Sequence, residues 1–161
     1  MPRLPALEPR ESAGWRDPLL RTIAVQPSLA ASVHEHSRHV MEHGSVPELT
    51  KELCAVLVAG LNFCHPSVIA HRRRARILGA STDMVNAIWE YAHSDHFTPA
   101  QKAALACAVS LTREARALPD ALWVDMRNHY DDAQIVELLC AIGLANYLDR
   151  VSNALQTQMR G

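Results

Sequence analysis

The sequence lacks the features that mark membrane, secreted and nucleic-acid-binding proteins. No apolar run approaches the roughly 20 residues needed to span a bilayer. The first residues include Glu8, Glu11 and Asp17 and do not follow the pattern of a signal peptide. The formal net charge of −1, from 16 basic and 17 acidic residues, provides no basic surface for nucleic acid or an anionic membrane. We therefore expect a cytoplasmic protein that binds neither nucleic acid nor membranes.

The chain also has only 4 cysteines, and they are far apart. A disulfide framework is not needed, because 161 residues can form one domain with a substantial apolar core. Cys54, Cys107 and Cys140 each lie among apolar neighbours, so we expect them to be buried free thiols. Cys64 differs because it lies at the end of an apolar run, next to polar residues.

Strand signals are absent too. No segment alternates apolar and polar residues, and no Asn-Gly or Asp-Gly hairpin turn occurs. Apolar residues instead recur with a helical period, and the segment Thr98–Gln101 combines an N-cap residue, a proline and a capping glutamine. The sequence therefore predicts an all-α fold of six or seven helices.

The same signals predict one domain over residues 27–161, preceded by a proline-rich arm over residues 1–26. We expect the arm to be extended and to pack on the surface or on a neighbouring subunit. The last helix is too apolar for a surface helix and should be central to the fold or to a subunit contact. The predicted helices cover residues 27–44, 47–62, 66–79, 84–92, 102–116 and 120–129, and the last one starts at Asp131 or Asp132.

The stretch from residue 52 to residue 71 has the strongest functional signal. Pro66 fits the first position of a helix, because its φ is preset and its missing N–H would have no partner there. His65 is then the expected N-cap, and Cys64 lies near the positive end of the helix dipole, which favours a reactive thiolate. Ser67 and His71 are four residues apart and share a helical face, while Cys64 lies roughly 20° from His71 around the axis. Three chemically competent side chains thus form one stripe.

Glu52, Cys64, position 67 and His71 have the spacing Glu-x11-Cys-x-x-Cys-x3-His, so the chain resembles the alkylhydroperoxidase D-like proteins. These proteins form one superfamily with the carboxymuconolactone decarboxylases. The resemblance continues through Gly-Ser-Val-Pro, Phe-Thr-Pro-Ala-Gln-Lys and Ala-Asn-Tyr-Leu-Asp-Arg-Val-Ser-Asn, and covers about residues 27–155. It implies a compact helical domain that forms a homo-oligomer (dimer, trimer or hexamer), with a small-molecule substrate and the site near a subunit interface. No metal or other cofactor is expected.

The chain departs from the redox-active members at Ser67, which occupies the position of their second, attacking cysteine. A serine cannot be oxidised to a sulfenic acid, so the internal disulfide cycle of the family cannot operate here. Pro66 also departs, because the family often has a histidine between the two cysteines. These departures favour chemistry other than the family's dithiol cycle.

The leading hypothesis is an enzyme of the carboxymuconolactone decarboxylase type. It would perform acid–base chemistry, such as decarboxylation, elimination or ring opening, on a small carbonyl or carboxylate compound. The resemblance implies that Glu52 orients His71, which acts as base or acid, while Ser67 and Cys64 line the pocket or bind an oxyanion. A Ser67–His71–Glu52 relay is a further option. Two alternatives stay open, namely a thiol peroxidase that uses Cys64 with an external thiol, and a non-catalytic helical assembly module.

Other polar residues carry weaker signals. We expect His65 and His36 at the substrate pocket, with His36 reaching over from the preceding helix. The histidines near His36 do not match the metal-binding pattern His-Glu-x-x-His, because Arg38 stands where the second histidine is needed. The three arginines of residues 72–74 cannot share one helical face, so we expect them at an interface or in solvent, although one could hold a substrate carboxylate.

Overall fold

The computed structural model describes residues 3, 4, 6–8, 17–114 and 116–157. These residues form α-helices, turns and one 3₁₀ segment without any strand, which confirms the all-α prediction. The described part contains eight α-helices, one more than the upper expectation, and none of them is long and apolar enough to cross a membrane. The helices are α1 (Pro18–Ile23), α2 (Pro27–Glu42), α3 (Glu48–Leu61), α4 (His65–Ile77), α5 (Thr82–Asn86), α6 (Pro99–Arg113), α7 (Asp120–His129) and α8 (Asp132–Leu155), and the 3₁₀ segment is Ala87–Glu90.

Helix α3 is the centre of the fold. All ten residues from 50 to 59 are buried, because α4, α6 and α8 pack around this helix. Helix α8 packs against α3 and α6 and buries Leu138 and Ile142, in agreement with its apolar sequence. The two charged residues in the buried part of α3, Lys51 and Glu52, must therefore have partners inside the protein.

The capping signals of two helices, α6 and α8, operate as the sequence predicts. Thr98 and Gln101 form a capping box at the start of α6, in which each side chain accepts a hydrogen bond from the backbone N–H of the other. Asp131, rather than Asp132, caps α8 and forms the same reciprocal pair with Gln134. Such local signals fix where these helices begin.

The segment expected to be an extended arm contains helix α1. Asp17 is its N-cap, with Oδ1 accepting the N–H of Leu19 at 2.8 Å, and Pro18 occupies the first turn. Ile23 and Ala24 then pack against Ala30 of α2 in a small second core. Residues 9–16 of the arm lie outside the described part. The N-terminal segment from residue 17 onward is thus part of the packed domain.

The structure corrects one of the three predictions on buried cysteines. Cys54 and Cys107 are buried as predicted, but Cys140 is exposed. Its neighbour in sequence, Leu138, faces the core, whereas Cys140 lies on the outer face of α8 together with the exposed Val136. Neighbours in the sequence of a helix point in different directions, so an apolar local sequence does not by itself bury a residue.

Candidate active site

A tight turn joins the two helices that carry the motif. Helix α3 ends in a Schellman motif, in which Phe63 N–H donates to the Gly60 carbonyl at 3.1 Å and Cys64 N–H donates to the Ala59 carbonyl at 2.9 Å. Phe63 has a φ of 56°, in the left-handed region where glycine is usual. The turn folds α4 back against α3, so residues far apart in the motif meet in space.

Helix α4 begins one residue earlier than the proline signal predicted. The Cys64 carbonyl accepts the N–H of Val68 at 3.0 Å, which makes Cys64 the N-cap, His65 the first helical residue and Pro66 the second. The prediction of His65 as N-cap was therefore wrong by one position. The physical reason is that proline, which needs no N–H partner, is tolerated throughout the first turn of a helix.

Glu52 and His71 form a close pair between α3 and α4. Glu52 Oε2 lies 2.6 Å from His71 Nδ1, and the side chains are only 7% and 16% exposed. Since an ionised carboxylate can only accept, Nδ1 carries the hydrogen of this bond, and in the neutral imidazole the lone pair is on Nε2. The other carboxylate oxygen, Oε1, faces the guanidinium of Arg74 at 3.9 Å. The arrangement holds the imidazole in one orientation and one tautomer.

Ser67 and Cys64 form a second pair at the N-terminus of α4. The Ser67 hydroxyl lies 3.2 Å from the Cys64 sulfur. Among the described residues this thiol is the hydrogen-bond partner of the hydroxyl, so the Ser67–His71 contact of a nucleophilic relay is not formed. Cys64 has no exposed surface, whereas Ser67 is partly exposed. Of this pair, Ser67 rather than Cys64 is therefore the residue with exposed surface.

A cavity of about 540 Å³ opens beside these residues. Glu52, Ser67 and His71 line it, and Cys64 does not. Helices α1, α2, α3, α4 and α8 form its walls, which are largely apolar and include Leu19, Leu20, Val33, Met41, Leu144 and Leu148. A small organic molecule fits this volume and would meet Ser67 and His71 at the cavity wall.

The two histidines expected at the pocket lie elsewhere. His36 and His65 are exposed and outside the lining of the cavity. The face of α2 that lines the cavity passes through His34, Ser37 and Arg38, and His36 lies on the roughly opposite side of the helix. Which face of α2 turns inward depends on its packing against α1 and α8, which the histidine spacing does not encode.

Helix α1 supplies a wall that the sequence analysis missed. Leu19 and Leu20 close one side of the cavity, and Asp17 lies at its edge. The signal was present in the sequence, because Asp17-Pro18 is an N-cap residue followed by a proline at the first helical position. The other prolines of the arm favoured the prediction of an extended segment instead of a helix.

Within the described residues, no three side chains of His, Cys, Asp and Glu are grouped as a metal site requires. Glu52 and His71 lie close enough to share an ion but are already hydrogen-bonded to each other. Two protein ligands alone would make a weak site.

Comparison with known proteins gives the same fold. In the solved structures, a peroxidase-related protein of Ralstonia eutropha JMP134 with the alkylhydroperoxidase AhpD core superposes with a TM-score of 0.84, at 18% identity over 98% of this chain and 91% of that one. The apo debrominase Bmp8 superposes with a TM-score of 0.82, at 18% identity over 95% of this chain and 82% of Bmp8. ATU0492 of Agrobacterium tumefaciens, described as a putative antioxidant defence protein AhpD, gives 0.80 at 23% identity over 86% of this chain and 96% of its own.

Sequence comparison agrees with the structures. YdfG of Bacillus subtilis (strain 168) is 29% identical over 115 residues, which are 71% of this chain and 78% of YdfG. The model of the carboxymuconolactone decarboxylase family matches residues 27–110, that is 84 of the 161 residues, a range that includes Glu52, Cys64, Ser67 and His71. The chain belongs to the carboxymuconolactone decarboxylase family.

Proposed function

We propose that this protein is an enzyme that uses His71 as a general base and acid on a small, largely apolar carbonyl compound. The 2.6 Å contact between Glu52 and His71 at the wall of the cavity carries the proposal. A buried carboxylate orients the imidazole and stabilises the imidazolium that forms when Nε2 takes a proton. The non-catalytic alternative gives no reason to bury such a pair beside an open cavity.

The reaction begins with removal of a proton from the carbon next to the substrate carbonyl by Nε2 of His71. The electron pair of the broken C–H bond moves onto the carbonyl oxygen and gives an enolate. The imidazolium then returns the proton to a different carbon, or to a leaving oxygen in an elimination or ring opening. Each outcome balances without an oxidant or reductant, which agrees with the loss of the dithiol pair at Ser67.

Ser67 is suited to stabilise the enolate oxygen. It lies in the first turn of α4, where unpaired backbone N–H groups and the helix dipole favour negative charge. Its hydroxyl can turn from the Cys64 sulfur, at 3.2 Å, toward the cavity that it lines. Hydrogen-bond donors placed where charge develops are a large source of catalysis.

The charges around the cavity favour an uncharged substrate. Both lining arginines already face carboxylates, with Arg38 Nε 3.2 Å from Glu42 and Arg74 Nη1 3.9 Å from Glu52. A substrate carboxylate would therefore compete with Glu42 or Glu52 for a guanidinium. Elimination and ring opening, which need no carboxylate, fit better than decarboxylation. The complex of a Bmp8 variant with 2,3,4-tribromopyrrole gives an example of a small ring compound bound by this fold.

The test follows proton transfer directly. Purified protein is mixed in D₂O with α-angelica lactone and with cyclohexanone, and isomerisation and deuterium uptake are followed by NMR. We expect His71→Gln and Glu52→Gln to lower the rate by about 10²–10⁴-fold, and Cys64→Ser to leave it within a few-fold. Acetoacetate decarboxylation serves as the comparison with an anionic substrate.

The same proteins test the thiol peroxidase alternative. Reduction of tert-butyl hydroperoxide with added dithiothreitol is measured for the wild type, Cys64→Ser and His71→Gln. An activity that Cys64→Ser abolishes, with no proton transfer by the wild type, would replace the acid–base proposal by thiol redox chemistry. Full proton-transfer activity in His71→Gln would also overturn it.

A further inference from the structure

Three arginines surround a second, shallower pocket on the opposite side of α4 from the cavity. Arg72, Arg73 and Arg76 of α4, with Thr82 and Val85 of α5, line a groove of about 230 Å³. None of these residues lines the 540 Å³ cavity. Arg72 and Arg76 are four residues apart and therefore lie one above the other on the helix.

Uncharged acceptors hold two of the three guanidinium groups, those of Arg72 and Arg76. Arg72 Nη2 donates to Asn86 Oδ1 at 2.5 Å, and Arg76 Nη1 donates to the Thr82 hydroxyl oxygen. An amide or a hydroxyl fixes the direction of a guanidinium but leaves its positive charge uncompensated. Because the Thr82 oxygen accepts from Arg76, its own hydrogen is available to a ligand in the groove.

Carboxylates neutralise some arginines of the described residues but not this cluster. In the described part of the chain, Arg38, Arg74, Arg116 and Arg127 each lie within 4.0 Å of a carboxylate. None of the three groove arginines does, and Asp83, next to Thr82, neither pairs with them nor lines the groove. Three like charges within two helical turns repel one another, and an anion between them would remove that repulsion.

We propose that this groove binds a phosphate-bearing small anion. A phosphoryl group is tetrahedral and can carry two negative charges, so it can accept hydrogen bonds from several guanidinium groups and from the Thr82 hydroxyl at once. A single carboxylate would satisfy fewer of these donors. Three arginines on a chain of net charge −1 form too small a patch for nucleic acid. The site does not rest on the proposed catalytic function, because it shares no residue with that cavity.

The test measures binding of pyrophosphate to the full chain by isothermal titration calorimetry at about 0.15 M chloride, with inorganic phosphate as a second probe. We expect pyrophosphate to bind more tightly than phosphate. Arg72→Gln and Arg76→Gln should each weaken binding by about tenfold or more. Arg150→Gln, which removes the same charge from an exposed position on α8, should leave binding unchanged.

A second variant distinguishes a binding site of defined geometry from a general attraction of anions by positive charge. Thr82→Val keeps every arginine but removes the hydroxyl that holds Arg76, so it should weaken pyrophosphate binding while circular dichroism stays that of the wild type. No binding of pyrophosphate, or equal weakening by Arg150→Gln and Arg76→Gln, would overturn the proposal. The proposal would also be overturned if Arg72→Gln and Arg76→Gln dissociated an oligomer but left pyrophosphate binding unchanged. The two arginines would then contact a second copy of the chain rather than a phosphate.

The source of the phosphate is resolved with vesicles. Co-sedimentation with phosphatidylcholine vesicles containing phosphatidic acid, competed by pyrophosphate and lost in Arg76→Gln, would identify a lipid headgroup. Pyrophosphate binding without co-sedimentation would identify a dissolved phosphorylated compound. Both results support the phosphate site and differ only in what delivers the phosphate.

Discussion

The Cys64 sulfur lies 3.2 Å from the Ser67 hydroxyl, at the two positions where redox-active relatives are expected to have a cysteine pair. Residues 64 and 67 are the N-cap and third position of α4, so their side chains can meet without moving the backbone. The thiol–hydroxyl pair therefore keeps the geometry of a dithiol but lacks its redox chemistry. The two pairs differ in one atom, which is the side-chain oxygen of Ser67 here and a sulfur in the dithiol.

We expect Ser67→Cys to form a disulfide between Cys64 and the new thiol when treated with peroxide. The new thiolate at position 67 would attack the O–O bond and become a sulfenic acid, and Cys64 would displace water from it to close the disulfide. Intact mass spectrometry should show the loss of two hydrogens, reversed by dithiothreitol. Ser67→Ala is the control and should form no such bond. A Ser67→Cys protein that accumulates sulfinic acid instead would mean that the two sulfur atoms cannot reach bonding distance.

The four thiols should differ sharply in their reactivity toward N-ethylmaleimide in the native protein. Burial raises the pKa of the Cys107 thiol to about 11, and burial together with nearby Cys107 raises the pKa of Cys54 further. Cys64 is fully buried, and Cys140 is exposed. We expect Cys140 alone to react quickly, and Cys140→Ser to abolish the fast phase, as read by mass spectrometry of labelled peptides. Fast labelling of Cys64 would contradict this and favour the peroxidase alternative.

Phe63→Gly should stabilise the protein. Phe63 is 84% exposed, so its ring contributes little packing, and its φ of 56° is unfavourable for any residue with a Cβ. Glycine adopts this conformation freely but loses more entropy on folding, so we expect a net gain of about 1 kcal/mol or less in urea unfolding. Phe63→Ala keeps the Cβ and should give no gain. A loss of stability in both variants would indicate that the ring packs against another molecule in solution.

Local signals in the sequence were sufficient for much of the fold. The capping box of α6 joins Thr98 to Gln101, and that of α8 joins Asp131 to Gln134. Because the two residues of each box are close in sequence, such a box can be identified without tertiary information. The meeting of Glu52 with His71 came from the resemblance, because it depends on the Schellman turn that folds α4 onto α3. A left-handed Phe63 gives no sequence signal for such a turn, since glycine is the residue that usually marks it.

The parts that were missed depend on how helices rotate and pack. The four histidines of α2 and its C-cap suggested a role for His36, but packing turns Ser37 and Arg38 toward the cavity instead. Cys140 faces outward for the same reason. Local sequence determines that a segment is helical, whereas its orientation is set by all the helices it contacts, and no single stretch contains that information.

Lys51→Met should destabilise the protein strongly. Lys51 is fully buried, and its ammonium donates to the carbonyls of Val40 at 2.9 Å and His43 at 2.5 Å while pairing with Glu137 at 2.5 Å. Removing it leaves a largely buried carboxylate and two carbonyls without their partner, and the cost should be about 3–5 kcal/mol in urea unfolding. Lys102→Met, at the only other lysine, is the control and should cost far less. Equal losses in the two variants would mean that the buried network contributes little.

The carboxylate of Glu137 should make stability depend on pH in the acid range. Burial alone raises the pKa of Glu137, but hydrogen bonds from Lys51 and from the backbone N–H groups of Ser45 and Val46 outweigh it, so the pKa is lowered. Near pH 4 the Glu137 carboxyl group therefore binds more protons in the unfolded chain than in the native protein. The stability contributed by Glu137 is complete above the unfolded pKa and is lost as pH falls through the folded pKa.

Glu137→Gln isolates this contribution from that of the other carboxylates. The difference in free energy of unfolding between the wild type and Glu137→Gln should be largest near neutral pH and should shrink as pH falls from about 5 to about 3. Urea titrations at a series of pH values measure it. Glu42→Gln, on an exposed ion pair with Arg38, is the matched control and should show little difference at any pH. A difference for Glu137→Gln that stays constant with pH would mean that this carboxylate titrates alike in the folded and unfolded chains.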